Sequence, residues 1–121
     1  MLSISPAVRI YLAAEPTDMR KGFDGLSAIV ENSLSEDVYS GNLFVFVSKK
    51  GDRVKILTWD RGGFVMLYKR LEKGKFRVPK VGAGCSAMEI ESAQLFMLLE
   101  GIDYSRVRTP IRWEPKKIVK K

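Results

Sequence analysis

The amino-acid sequence predicts an α+β fold in which an antiparallel β-sheet packs against one long helix. Three observations lead to this prediction: a series of short strand-like segments over residues 43–78, an amphipathic helical segment over residues 17–34, and a hydrophobic content of 45%. A chain of 121 residues has the usual size of one domain. We therefore expect a single α+β domain over residues 1–104 and a basic tail, extended or disordered, over residues 105–121.

The centre of the predicted sheet is a meander of three strands rich in β-branched and aromatic residues, at residues 43–47, 53–59 and 64–71. Polar turns containing glycine separate these segments, and connections this short make neighbouring strands antiparallel. Residues 43–47 and 64–67 are apolar throughout, so we expect both runs to lie centrally or to be covered on part of the second face. A short return strand is predicted at residues 75–78, where Pro79 ends the pairing because it has no N–H to donate.

Two elements are predicted before the meander. Residues 8–13, VRIYLA, are expected to form a strand that joins the same sheet. A helix then starts near Thr17 or Asp18, whose side-chain oxygens can cap unpaired amides. Its apolar stripe consists of Met19, Phe23, Leu26, Val30 and Leu34. We expect this stripe to be buried against the more apolar face of the second meander strand, which carries Val54 and Ile56.

The chain after the meander is predicted to contain an irregular linker and a second, short helix. Residues 80–86 include Gly82 and Gly84, and we expect them to be irregular and mobile. The helix follows at residues 91–100, and Gly101 suits the left-handed position after its end. This helix has too many apolar residues to be one-sided, so it is either deeply buried or part of a partner surface.

Positive charge is concentrated in two parts of the sequence, although the net charge of the whole chain is only +7. Residues 49–80 carry eleven Lys and Arg against three acidic residues, a net charge of +8. Residues 106–121 carry seven against one, a net charge of +6, and all other residues together have a net charge of −7. This distribution favours a polyanionic partner such as nucleic acid over the alternative of a solvated cationic surface.

The residues predicted to bind nucleic acid combine cations for phosphate groups with aromatic rings for base stacking. Trp59 and Tyr68 fit the aromatic role, although aromatic residues on strands also serve as cross-strand packing residues. The predicted nucleic-acid-binding residues are Lys49, Lys50, Arg53, Lys55, Trp59, Arg61, Lys69, Arg70, Arg106, Arg108, Arg112, Lys116 and Lys117.

The residue types needed for catalysis or metal binding are scarce. The chain has no histidine, so zinc sites and Ser-His or Cys-His catalysis are not expected. Asp18, Asp24 and Asp60 could hold Mg²⁺ in a nuclease, but a helix cap, a solvated helix face and a turn explain them better. The single cysteine, Cys85, cannot form an internal disulfide and has no neighbouring histidine to activate it. We therefore predict no enzymatic activity, no catalytic residues, no metal and no cofactor.

Membrane segments and signal peptides are not predicted. No stretch approaches the roughly 18 apolar residues of a membrane-spanning helix. The N-terminal residues lack a basic segment followed by an apolar run. We expect a cytoplasmic protein without membrane contact.

Several short motifs follow one another in the order found in one family of mobile-element proteins. They are DMRKGFDGL at residues 18–26, GNLFVF at 41–46, KILTWD at 55–60, KRLEKGKF at 69–76 and LLEGID at 98–103. In these motifs the chain resembles, over about residues 8–104, the Orf2-like accessory protein of insertion sequences of the IS66 family. The resemblance implies a small bacterial protein that is encoded beside a separate transposase, is needed for transposition and carries no recognised catalytic residues.

The leading hypothesis is a non-enzymatic accessory protein of transposition that binds DNA through basic residues of the sheet and the tail. The alternative is a protein-interaction module, in which the apolar helix near residues 92–100 docks on the transposase or on another accessory protein. A nuclease or strand-processing enzyme is the third hypothesis. The sequence predicts neither the DNA target nor the oligomeric state.

Overall fold

A computed structural model describes residues 5–101, which form a five-stranded sheet with two helices. The elements in chain order are β1 (Ile10–Ala13), α1 (Phe23–Asn32), β2 (Leu43–Val47), β3 (Arg53–Asp60), β4 (Gly63–Arg70), β5 (Ala87–Ile90) and α2 (Ser92–Glu100). The predicted α+β class is confirmed. The single long helix is not, because α1 has ten residues and α2 has nine. Neither of these helices is long and apolar enough to cross a membrane. The basic tail lies outside the described residues, and the domain limit at residue 104 stays a prediction.

The predicted meander is present as β2, β3 and β4, which pair antiparallel in sequence order. The strands of the sheet lie in the order β4-β3-β2-β1-β5, so β2 is central, as its continuous apolar run predicted. β4 lies at an edge, so residues 64–67 are not central. Phe64 and Met66 on one face are partly buried, but Val65 and Leu67 on the other are 44% and 37% exposed, so the expected cover of the second face is missing there. A two-residue turn joins β3 to β4, with positive φ values of 40° at Arg61 and 87° at Gly62. This backbone conformation matches the twist of a tight hairpin.

The N-terminal strand joins the sheet as predicted, but it makes the sheet mixed rather than antiparallel. β1 pairs parallel with β2, because the chain between them crosses over through α1 and enters the sheet again in the same direction. On its other side, β1 pairs antiparallel with β5, a strand that the sequence analysis missed. β5 has only four residues, one of them the exposed Glu89, so its local pattern is weak.

The two helices cover opposite faces of the sheet, and each face has its own hydrophobic cluster. On the α1 face, Leu26 and Val30 pack with the sheet residues Phe44, Phe46 and Leu57. The cluster on the α2 face consists of Ile10, Leu12, Val45, Val47, Val54, Ile56, Phe76, Ile90, Leu95, Leu98 and Leu99. The sheet is therefore a middle layer, which accounts for its many apolar residues.

The predicted packing of the α1 stripe against Val54 and Ile56 is wrong. Those two side chains lie on the α2 face, because residues alternate along a strand and Leu57 is the one that meets α1. Phe23, which was predicted to be buried with the stripe, is 45% exposed. Comparing the apolarity of the two faces of β3 could not identify the partner of α1, since both faces are covered.

The chain before α1 is tied to the sheet instead of being helical. α1 begins at Phe23 after an N-cap at Gly22, so the prediction that Thr17 or Asp18 caps it is wrong. Thr17 N–H donates to the carbonyl of Val47 at 2.9 Å, which attaches this segment to the end of β2. Asp18 Oδ1 accepts from Arg20 N–H at 2.9 Å and closes a local turn.

Residues 71–86 contain no helix or strand, so the predicted return strand at residues 75–78 is wrong. Phe76, the large apolar residue of that stretch, is instead buried in the cluster on the α2 face. Its N–H donates to the carbonyl of Gly51 at 2.7 Å, and Leu71 N–H donates to the carbonyl of Asp52 at 2.8 Å. The irregular structure predicted for residues 80–86 is confirmed, and their mobility stays a prediction.

The second helix is present within one residue of its predicted start. Glu91 is its N-cap residue, and Gln94 Oε1 accepts from Glu91 N–H at 2.8 Å, one half of a capping box. Gly101 has a φ of 80°, the predicted left-handed conformation. The buried residues of the helix are Leu95, Leu98 and Leu99. Burial in the chain's own core therefore explains the apolar composition of α2.

Candidate nucleic-acid interface

One end of the sheet collects cationic side chains. Lys49 and Lys50 are exposed in the turn between β2 and β3. Arg53 begins β3 and is the cross-strand partner of Arg70 at the end of β4. Arg20, from the segment before α1, faces the same turn across a common cleft. We call this group the basic end; its members are Arg20, Lys49, Lys50, Arg53 and Arg70.

An open cleft of about 340 Å³ lies at the basic end. The residues that line it are Thr17, Asp18, Met19, Arg20, Ser48, Lys49, Lys50, Asp52 and Arg53. These residues come from two stretches, 17–20 and 48–53, that are almost thirty residues apart. They meet because the bond from Thr17 N–H to the carbonyl of Val47 holds the first stretch beside the second. The fold thus joins two separate stretches of the chain around one opening.

Both carboxylates in the cleft are engaged with neighbouring protein groups. Arg20 donates from Nη2 to Oδ2 of Asp18 at 2.7 Å and from Nε to Oδ1 at 3.1 Å. These hydrogen bonds from Arg20 lower the pKa of Asp18 from 3.8 to about 2, since they favour the ionised carboxylate. Asp52 Oδ1 accepts from the hydroxyl of Ser48 at 3.2 Å. Asp18 therefore stays ionised at neutral pH and offsets the charge of Arg20.

The remaining cations of the cleft are not neutralised in this way. Within residues 5–101, the ion pairs involve none of Lys49, Lys50 and Arg53. The side chain of Lys75 passes beside Gly51 of the same turn, because the bond between Phe76 and Gly51 draws its segment there. The cleft therefore carries uncompensated positive charge, the property that attracts phosphate groups.

Two of the predicted DNA-binding lysines have their ammonium groups bonded within the fold. Lys55 is 7% exposed, and its Nζ donates to the carbonyls of Met19 and Lys21 at 2.7 and 2.8 Å. Its Nζ also lies 4.7 Å from the centre of the Tyr68 ring. Lys69 Nζ donates to the carbonyl of Leu99, at the end of α2, at 2.6 Å. These bonds give both lysines a structural role.

Trp59 and Arg61 are at the other end of the sheet. Trp59 makes edge-to-face contacts with Phe64 and with Tyr39, each with 4.9 Å between the ring centres. It therefore belongs to an aromatic cluster. Arg61 is exposed in the hairpin turn, 3.8 Å from Asp60. β3 is about 24 Å long, which is the distance that separates this end from Arg53. The structure therefore does not bring Trp59 next to the basic end, whereas Tyr68, the other predicted aromatic residue, lies two residues from Arg70.

Comparison of the sequence with known proteins identifies the family of the chain. The family model for IS66 Orf2-like proteins matches residues 8–109. The chain belongs to the IS66 Orf2-like family. The resemblance found in the sequence motifs is thereby confirmed, and the family is that of an accessory protein of IS66 transposition.

Two curated proteins of Sinorhizobium fredii strain NGR234 are similar to this IS66 Orf2-like protein over nearly their whole length. The uncharacterized protein y4jC is 38% identical over 119 residues, covering 98% of this chain and 99% of y4jC. The uncharacterized protein y4hO is 37% identical over 118 residues, covering 98% of this chain and 99% of y4hO. No solved structure matches the chain.

The other cationic residues of this IS66 Orf2-like protein fall into three groups: a predicted one that the structure describes, one that was not predicted, and those of the tail. Arg70 is half-exposed and bonds Glu72 at 3.0 Å. Arg20 was missed by the sequence analysis, because only the folded chain places residues 17–20 beside the turn. The tail residues Arg106, Arg108, Arg112, Lys116 and Lys117 lie outside the described residues.

The three aspartates that were weighed as metal ligands are accounted for separately. Asp18 pairs with Arg20, Asp24 is in the first turn of α1, and Asp60 flanks the hairpin turn. In the part of the chain that the structure describes, no group of three or more acidic, cysteine or histidine side chains could hold a metal ion.

Proposed function

We propose that this protein is a non-enzymatic accessory factor of transposition that binds DNA, and that the basic end contacts the phosphate backbone. The observation that carries the proposal is the convergence of two distant stretches, residues 17–20 and 48–53, on one cleft whose cations Lys49, Lys50 and Arg53 have no ion-pair partner in residues 5–101. Cations gathered at one exposed place create a positive potential that attracts anions. The phosphate groups of DNA are such anions.

The chemistry of the cleft supports contact with the backbone rather than recognition of bases. Lysine and arginine neutralise phosphates and release condensed counterions, which gives affinity without sequence information. The aromatic cluster that contains Trp59 is a strand's length away, and the nearer Tyr68 already has the ammonium group of Lys55 4.7 Å from its ring centre, so we expect base stacking to contribute little. We therefore propose binding with little sequence preference, in which the transposase or the DNA structure would supply target choice.

A pair of double variants tests the proposal. Lys49→Gln with Lys50→Gln removes two exposed charges from the basic end, whereas Arg9→Gln with Arg61→Gln removes two exposed charges from the opposite end. We expect the first variant to bind duplex DNA about tenfold more weakly at low salt, and the second to bind within about twofold of the native protein. Affinity is measured by fluorescence anisotropy with labelled duplexes of two unrelated sequences.

The matched design separates a located site from a general charge effect. Equal losses in both variants would show that only net charge matters, which contradicts the role of the basic end. No salt-sensitive affinity of the native protein for duplex or single-stranded DNA would overturn DNA binding altogether. Pull-down with the element-encoded transposase would then test the interaction-module hypothesis, although burial of Leu95, Leu98 and Leu99 in the core leaves α2 with few apolar residues to offer.

A further inference from the structure

β4 is an edge strand whose outer side has no partner within residues 5–101. It runs for eight residues, Gly63–Arg70, and pairs with β3 along its whole length. Asp60 and Gly63 flank the two-residue turn, so they form a hydrogen-bonded pair, and such pairs alternate along the hairpin. The N–H and C=O groups of Phe64, Met66 and Tyr68 therefore point away from β3, toward the open edge. An open edge of this length is a template for another strand.

The side chains of this edge lack the charges that usually protect one. Val65 and Leu67 are 44% and 37% exposed on the α2 face, and Tyr68 is 49% exposed on the α1 face. Lys69, the first charged residue of the strand, turns its ammonium group away to the carbonyl of Leu99. The middle of β4 is therefore an apolar and aromatic edge. It has no charged side chain that would prevent another strand from pairing with it.

We propose that a second copy of this chain pairs with β4 in antiparallel fashion, about a two-fold axis that passes beside Met66. Such an axis is perpendicular to the sheet, so it keeps the α1 face of one copy level with the α1 face of the other. Met66 then meets its own counterpart in a hydrogen-bonded pair. Val65 lies opposite Leu67 of the second copy, and Phe64 lies opposite Tyr68. The two sheets become one continuous ten-stranded sheet.

This register is selected by the side chains it brings together. With the axis beside Met66, apolar residues meet apolar residues and aromatic rings meet aromatic rings, the pairs that stabilise antiparallel strands. Lys69 then lies opposite Gly63, where no charge opposes it. An axis beside Val65 would set Lys69 opposite Arg61, and an axis beside Leu67 would set Lys69 opposite Val65. Like charges disfavour the first alternative, and the second loses the apolar and aromatic pairs that an axis beside Met66 gives.

Disulfide trapping tests the register directly, in a chain with Cys85→Ser so that no native thiol competes. Two chains are made, one with Val65→Cys and one with Leu67→Cys. We expect the mixture to form a covalent heterodimer under mild oxidation, because these positions face each other about 4.5 Å apart between Cα atoms. Each chain alone should cross-link poorly, since identical positions are offset by two residues along the strands. Cross-linking of Val65→Cys alone, or of Leu67→Cys alone, would contradict the proposed register.

Charge-swap variants test the pairing without a covalent bond. Val65→Lys with Leu67→Lys places lysines opposite lysines and should give a monomer. Val65→Lys with Leu67→Glu places opposite charges together and should restore the dimer. The mass in solution is measured by light scattering after gel filtration, and circular dichroism checks that the exposed substitutions leave the fold intact. A native chain that is monomeric, or a lysine pair that remains dimeric, would overturn the proposal. Neither result depends on whether the protein binds DNA.

Discussion

At the scale of single residues, Lys55 shows how a charge can serve the fold. It follows Val54 in a strand that is covered on both faces, and alternation turns it under the segment before α1. The carbonyls of Met19 and Lys21 accept from its ammonium group. Lys55 therefore links β3 to a segment that also supplies Arg20 to the basic end. In the sequence it is indistinguishable from a cation on the surface, because its two acceptors are backbone groups more than thirty residues away.

The first prediction concerns this lysine. Lys55→Met keeps the length of the side chain but removes the donor, and it leaves two carbonyls without their partner. We expect the free energy of unfolding to fall by about 2 kcal/mol, since hydrogen bonds from a charged group contribute more than neutral ones. Hydrogen exchange should also become faster at the amides of residues 18–22. The control is Lys50→Met, which removes an exposed lysine and should change the free energy of unfolding by less than about 0.5 kcal/mol. Equal stability of the two variants would contradict the role of Lys55.

At the scale of secondary-structure elements, α1 shows which features of a helix a periodic pattern predicts and which features it misses. The steps of three and four residues correctly predicted a helix with Leu26 and Val30 on its buried side. The same pattern extended back to Met19 and suggested a helix that started six residues too early. Those first residues are held instead by a long-range bond to β2 and by a turn at Asp18, which a local period does not reveal.

A comparison within α1 tests which side chains stabilise its packing on the sheet. Leu26 is fully buried, so Leu26→Ala should lower the free energy of unfolding by about 2 to 5 kcal/mol through lost burial and a residual cavity. Phe23 is 45% exposed and rests beside Phe64, so Phe23→Ala should cost about half as much or less. Chemical denaturation of both variants gives the two values. A larger loss for Phe23→Ala would mean that the ring is enclosed after all, and that α1 packs differently on the sheet.

The strands show the same limit of local information. β2, β3 and β4 were predicted because each has a dense run of strand-forming residues and each is joined to the next by a short turn. The parallel pairing of β1 with β2 depends on a crossover of nearly thirty residues, and the sequence of β1 contains nothing that sets its partner. β5 was missed because its four residues, Ala87–Ile90, form too short a pattern. A strand was wrongly predicted at residues 75–78 because Phe76 is apolar, whereas the structure buries this residue in the core outside any strand. The motifs, in contrast, predicted the family correctly without any knowledge of the fold.

At the scale of the whole molecule, the two ends of the sheet differ in how far their cations are neutralised. The stretch of net charge +8, residues 49–80, begins at the turn of the basic end, and the bonds of Leu71 and Phe76 return the later part of that stretch to the same turn. At the opposite end, the cations Arg9 and Arg61 each lie beside a carboxylate. The sequence predicted a cationic meander, but only the fold shows that Lys55 and Lys69 are bonded within it, that Arg61 lies at the opposite end, and that Lys49, Lys50 and Arg53 meet at the basic end.

The last prediction partitions DNA binding between the basic end and the tail through its dependence on salt. Log affinity should fall linearly with log salt at a slope near −0.9 for each neutralised phosphate, so about five contacts give a slope near −4.5. Lys49→Gln with Lys50→Gln removes two proposed contacts and should make the slope shallower by about 1.8. Deletion of residues 112–121 removes five further cations and one acidic residue, and we expect it to flatten the slope again.

Combining the two changes decides whether the basic end and the tail act on the same DNA. If both contact one duplex, their effects on the slope should add, because each counterion is released independently. Arg9→Gln with Arg61→Gln is the control and should leave the slope unchanged. Thermal unfolding of every variant excludes loss of structure as the cause of weaker binding. An unaltered slope in the Lys49 and Lys50 variant, together with a flattened slope after the deletion, would assign phosphate contact to the tail and remove it from the basic end.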